Sequence, residues 1–126
     1  MGILLAVAAG GAVGSLLRHG VNVLFSGLLE RPVPHATAAV NLVGAGIIGV
    51  LAGLAASGRL PWSAPMRAFV FVGVLGGFPT FSSYMLDTLT LTYSGEPGVA
   101  LLNVTAQTLL GLAAVWAGYA LGVGVH

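Results

Sequence analysis

An all-α membrane protein of four transmembrane helices, open to assembly as an antiparallel dual-topology homodimer, is the fold class this sequence predicts. Three observations predict it. Four Lys/Arg and three Asp/Glu side chains make up only 6% of the 126 residues, whereas soluble domains carry about 25%. So few charges cannot solvate the surface of a globule this size, and lipid must be the solvent. Four apolar runs each reach the length of about 20 residues that a spanning helix needs. The basic residues, all arginine, divide evenly between the two sides that four spans would create.

The first run, 3–28, opens without the basic segment of a secretory signal and is expected to remain as a span. Its Gly10 and Gly14 stand at the small-xxx-small spacing that lets helix backbones approach closely in lipid. Arg18 lies toward its far end, where it can snorkel to the interface or draw anions toward a vestibule. The second run, 36–57, repeats the glycine spacing at Gly49 and Gly53 and places Thr37 and Asn41 four apart, on one face.

The third run, 66–93, is expected to break between Gly76 and Thr80. Pro79 has no N–H, and its ring clashes with the preceding turn. The fourth run, 98–123, has small residues at Ala114, Gly118 and Gly122. It also carries a polar stripe of Asn103 and Gln107, with Thr105 and Thr108 close by. Short charged connections join the runs, giving one four-helix transmembrane domain over 1–126. Most of the glycine rows read as packing within the chain, with some left to serve a dimer.

Orientation follows the Lys/Arg count in short loops. Arg59 and Arg67 fall on the side of the termini, and Arg31 and Arg18 on the other. Two against two gives no preferred topology, so the chain is expected either to insert both ways or to hold one weakly biased orientation. Insertion both ways makes an antiparallel pair, with its two-fold axis in the membrane plane, the natural assembly.

Polar groups inside a membrane are costly and mark candidate functional positions. The Thr37/Asn41 and Asn103/Gln107 stripes are neutral, and they read as interhelical hydrogen bonding or as a polar pathway. A break at Pro79 frees carbonyls that suit a hard cation such as Na⁺, or it is a kink relieved by water or by Thr80. Past the break, Phe81 and Tyr84 flank Ser82 and Ser83. Aromatic ring edges carry positive quadrupole character, so this stretch reads as core packing or as a neutral surface friendly to anions. Weak neutral donors release a small anion that a fixed cation would hold. Asp87 has three readings, as a helix cap, an arginine partner or a vestibule residue.

Several classes are excluded. Without cysteine there is no disulfide or thiolate metal site, and without a Lys/Arg cluster there is no nucleic-acid partner. His19, His35 and His126 lack ligand spacing, and no phosphate loop occurs, so an enzyme is not expected.

The stretches GGAVGSLLR (10–18), TAAVNLVGAGIIG (37–49), GVLGGFPTFSSY (73–84) and ALLNVTAQTLLG (100–111) resemble the Fluc/CrcB family of small fluoride channels. The likeness touches all four runs in order. It implies a dual-topology antiparallel homodimer in the cytoplasmic (inner) membrane, with two pores along the subunit interface, exporting F⁻ passively. It also implies a structural Na⁺ at the dimer centre, held by the backbone carbonyls of Gly76 and Pro79. Asn41 matches the pore asparagine, Phe81 and Tyr84 the two aromatic positions along the fluoride path, and Arg18 the arginine of the first helix. Thr37, Ser82, Ser83, Asn103 and Gln107 complete the expected pore lining.

Two positions depart from the family pattern. Pro79 stands where a threonine is usual, keeping the carbonyl but losing a hydroxyl, and Tyr84 stands where phenylalanine is usual. The Tyr84 hydroxyl could ligate fluoride or alter pore polarity. Two other readings compete. A small dual-topology multidrug-type exporter would need an intramembrane carboxylate, typically in the first helix, where this chain has Arg18. A non-transporting membrane assembly subunit does not account for polar groups gathered at a helix break.

Overall fold

The fold is described by a computed structural model covering residues 1–30 and 34–124. Arg31 and His126, weighed above for loop charge and histidine spacing, lie outside the described residues. Four helical spans are long and apolar enough to cross a membrane: Gly2–Leu28, His35–Ala56, Ala64–Tyr93 and Pro97–Gly124. No strand occurs among the described residues.

The first two spans are single helices, α1 (Gly2–Leu28) and α2 (His35–Ala56). His19 sits inside α1. α2 closes on Gly58 at φ +70, with the Gly58 amide on the Ala55 carbonyl and the Arg59 amide on the Leu54 carbonyl. That bond pair is a Schellman ending, and the left-handed backbone it needs favours glycine.

The third span is composite. α3 (Ala64–Arg67) is capped by the Ser63 hydroxyl, which accepts from the Met66 amide. A π-helical stretch follows over Ala68–Val74, then α4 (Leu75–Gly77). The π stretch has no signal in the sequence, because its apolar residues would suit an α-helix equally. It widens the helix immediately before the chain changes course.

Phe78 stays helical, Thr80 is extended at φ −148 and ψ 118, and α5 (Phe81–Tyr93) begins after it. The Thr80 hydroxyl caps α5 by accepting from the Ser83 amide at 3.2 Å. α5 ends on Gly95 at φ +81 with the same pair of bonds that closes α2. The fourth span, α6 (Pro97–Gly124), starts on a proline, whose missing N–H costs nothing at a first helical position.

Glycine decides which helices meet. A Cβ on Gly10 or Gly14 would strike the backbone of Phe69, Gly73 or Val74, so α1 and the first half of the third span touch main chain to main chain. A Cβ on Gly49 or Gly53 would strike Val115 or Tyr119, and one on Gly118 or Gly122 would strike Gly46 or Val50. α2 and α6 are thereby locked together. The glycine pairs singled out in the sequence thus all pack within the chain.

The interior is unusual for its polarity. Thr37, Asn103 and Gln107 are buried, while large apolar side chains such as Leu16, Leu101 and Trp116 are exposed. That inversion suits a chain whose surroundings are lipid.

Candidate functional site

The site forms where α2, α5 and α6 converge on the extended residue Thr80. In an unbroken helix the Thr80 amide would donate to the Gly76 carbonyl. Here it donates to Asn41 Oδ1 at 2.7 Å. Asn41 Nδ2 returns a bond to the Thr80 carbonyl at 3.2 Å and gives a second to Gln107 Oε1 at 2.8 Å. Gln107 Nε2 then donates to Asn103 Oδ1 at 2.7 Å, Asn103 Nδ2 to Thr88 Oγ1 at 3.0 Å, and Thr88 Oγ1 to the Tyr84 carbonyl at 2.8 Å. Three primary amides thus form a directed relay in which each N–H meets the next C=O. Burial strengthens such bonds and penalises any unmade one.

The interruption also releases carbonyls. The Ser83 amide, which would bond the Pro79 carbonyl in a helix, goes to Thr80 Oγ1 instead. Pro79 offers no N–H to Leu75, and Thr80 offers none to Gly76. The Pro79 ring lies against Gly44, where a Cβ would collide with its Cγ. Released oxygens on Gly76 and Pro79 are the donor type a small hard cation takes, so these residues fit the backbone-held Na⁺ that the resemblance implies.

Beside the relay, Asn41, Pro79, Thr80, Phe81 and Tyr84 line a pocket of about 250 Å³. Phe81 and Tyr84 meet edge to face, with centroids 5.9 Å apart and planes at 72°. The two rings differ in setting, since Tyr84 is buried and Phe81 is 73% exposed. The Tyr84 hydroxyl donates to the Val104 carbonyl at 2.9 Å and pairs with Thr108 Oγ1 at 3.1 Å. It ties α5 to α6, so a fluoride-binding role for it would require breaking that tie. Ser82 and Ser83 gather on Thr80 Oγ1, each hydroxyl at 3.2 Å.

On the other side of the amide relay a pocket of about 350 Å³ has Asn103 and Gln107 in its wall, with His35 and Glu96 also lining it. A third, of about 260 Å³, gathers Asn22, Ser26, Thr37, Ser83 and Asp87. Thr37 therefore serves a different pocket from Asn41, although the two share a face of α2. Arg18 is half-buried, makes no ion pair among the described residues, and stands one turn before Asn22 on α1.

Sequence reasoning missed Thr88, Asn22 and Ser26. The signal was present as four-residue spacing, Tyr84 to Thr88 and Arg18 to Asn22 to Ser26, but helix faces alone do not say which neighbour they meet.

Comparison with known proteins identifies the family. Residues 5–119 match the family described as CrcB-like protein, Camphor Resistance (CrcB). The chain is 47% identical over 118 residues to the "Fluoride-specific ion channel FluC" of a Thermus thermophilus strain, covering 94% of this chain and 93% of that one. It is 46% identical over 116 residues to the protein of that name from Agrobacterium fabrum, covering 92% of each. With the one from Opitutus terrae it shares 43% identity over 127 residues, covering all of this chain and 96% of the relative. A four-span helical chain with this likeness along nearly its whole length belongs to the CrcB family.

Proposed function

We propose that this protein is a fluoride-selective channel that exports F⁻ passively across the cytoplasmic membrane. The observation that carries the reading is the uncharged pocket lined by Asn41, Pro79, Thr80, Phe81 and Tyr84, where amide and hydroxyl groups meet a ring edge, in a chain of the CrcB family. HF crosses lipid uncharged and dissociates inside the cell, and the trapped anion leaves through the pore down its electrochemical gradient. Stripping water from F⁻ is expensive, so closely spaced amide and hydroxyl donors must replace its shell. Neutral donors hold the ion weakly enough to release it. Along this path Asn41, Phe81, Tyr84, Ser82, Ser83, Thr37, Asn103 and Gln107 line the route, and Arg18 draws anions to its mouth.

The working unit is an antiparallel, dual-topology homodimer of single-domain subunits, each spanning 1–126, with two pores along the interface. The exposed Phe81 ring at the open mouth of this pocket supports a second copy closing over it. The interruption at Gly76 to Thr80 is the helix break of the family, and the released Gly76 and Pro79 carbonyls of both subunits would hold a structural Na⁺ at the dimer centre. Bound there, the ion would fix the two breaks against each other.

The test is fluoride efflux from liposomes containing the purified protein, read with a fluoride-selective electrode. Rapid F⁻ release with little chloride flux is expected. A folded protein that releases no fluoride would overturn the reading.

A further inference from the structure

We propose that the pocket around Asp87 is a side-chain-built site for a small monovalent cation, distinct from the backbone carbonyls of Gly76 and Pro79. Asp87 Oδ2 is the one buried side-chain polar atom without a hydrogen-bond partner among the described residues. Thr37 supplies an independent sign. It is only 8% exposed, faces the same pocket, and its hydroxyl makes no bond among the described residues. A buried carboxylate oxygen is normally satisfied, so Asp87 Oδ2, with an unbonded Thr37 hydroxyl opening on the same pocket, points to a ligand.

The donor chemistry selects the ligand class. Asn22 and Ser26 from α1, Thr37 from α2, and Ser83 and Asp87 from α5 bring five oxygen-bearing side chains to about 260 Å³. All the oxygens are hard donors, and a single carboxylate balances a single positive charge. A divalent ion would call for more carboxylates, and no group of three His, Cys, Asp or Glu residues that could hold a metal exists among the described residues. Arg18 lies one turn from Asn22, yet it forms no ion pair with Asp87.

The purpose of the site rests on the channel reading, although binding itself does not. Thr37 and Ser83 belong to the proposed anion route, and an uncompensated carboxylate beside them would repel F⁻. A cation held by Asp87 and the hydroxyl oxygens cancels that charge, while the O–H hydrogens of Thr37 and Ser83 remain as donors to the anion.

The experiment uses the purified full chain, crystallised from fluoride-free thallium(I) acetate in place of sodium salts. An anomalous peak is expected between the Asp87 carboxylate and the hydroxyls of Thr37 and Ser83. It should vanish in Asp87→Asn, weaken in Thr37→Val and persist in Arg18→Gln. The Thr37 variant keeps the test decisive if Asp87→Asn does not fold. Absence of a peak at Asp87 in the unmodified protein, its survival in Asp87→Asn, or the Arg18 guanidinium seated on the carboxylate would overturn the proposal. Thallium binding without fluoride efflux in liposomes would overturn only the channel reading.

Discussion

Asn41 and Thr80 pair through two hydrogen bonds, the Thr80 N–H on Asn41 Oδ1 at 2.7 Å and Asn41 Nδ2 on the Thr80 carbonyl at 3.2 Å. A side-chain amide here does what a neighbouring strand would do for an extended residue. With its second N–H on Gln107, Asn41 has no donor left over. Any anion that binds this asparagine must first displace one of those partners.

Asn41→Ala should therefore abolish fluoride efflux and also loosen the interruption, because Thr80 would lose both partners. The stability loss should be about 1–3 kcal/mol, the usual penalty for leaving such groups unmade. Asn41→Asp keeps the acceptor for Thr80 but turns a carboxylate oxygen toward the Thr80 carbonyl and Gln107 Oε1, so it should block flux at a stability loss of its own. Electrode traces and thermal unfolding check both variants. Efflux at unmodified rates in either variant would contradict the assignment.

Gln107 occupies the Asn41 donor that is easiest to release, since it belongs to a side chain and not to the interrupted backbone. Gln107→Leu should leave that N–H open, so the fluoride concentration giving half-maximal flux should fall and maximal flux should drop as release slows. Concentration-dependent efflux measures both quantities. An unchanged half-saturating concentration would mean that Gln107 does not compete with the anion.

Tyr84→Phe removes the tie to Val104 and Thr108 but keeps the ring edge against Phe81. Efflux should persist, and stability should fall by about 0.5–1.5 kcal/mol, the net worth of a typical hydrogen bond. Phe81→Ala, by contrast, should abolish flux while leaving dimerisation intact, as read by size-exclusion chromatography beside the electrode assay.

Gly118→Leu should separate α2 from α6, because even a Cβ there strikes the backbone at Gly46 and Val50. Gly111→Ala meets open space within the chain and should leave its fold unchanged. The loss of monodisperse protein in the first variant alone is the expected outcome.

Much of this protein is legible in the sequence because lipid imposes a simple demand. A chain with 6% charged residues must satisfy its backbone within helices, and four apolar runs separated by proline, glycine and charge mark the four spans. Spacing by four residues set Asn41 on the face of Thr37 and Asn103 on that of Gln107. What spacing cannot state is which faces meet. Only the packed structure joins Asn41 to Gln107, sends the Tyr84 hydroxyl to Val104, inserts a π-helical stretch before Gly76 and leaves Asp87 Oδ2 without a partner among the described residues. Those outcomes depend on contacts between residues as much as 66 positions apart. Local periodicity fixes where each helix runs and which side is polar. The meeting of polar sides is decided by backbone contacts at Gly10, Gly49 and Gly118, which exist only once the helices have packed.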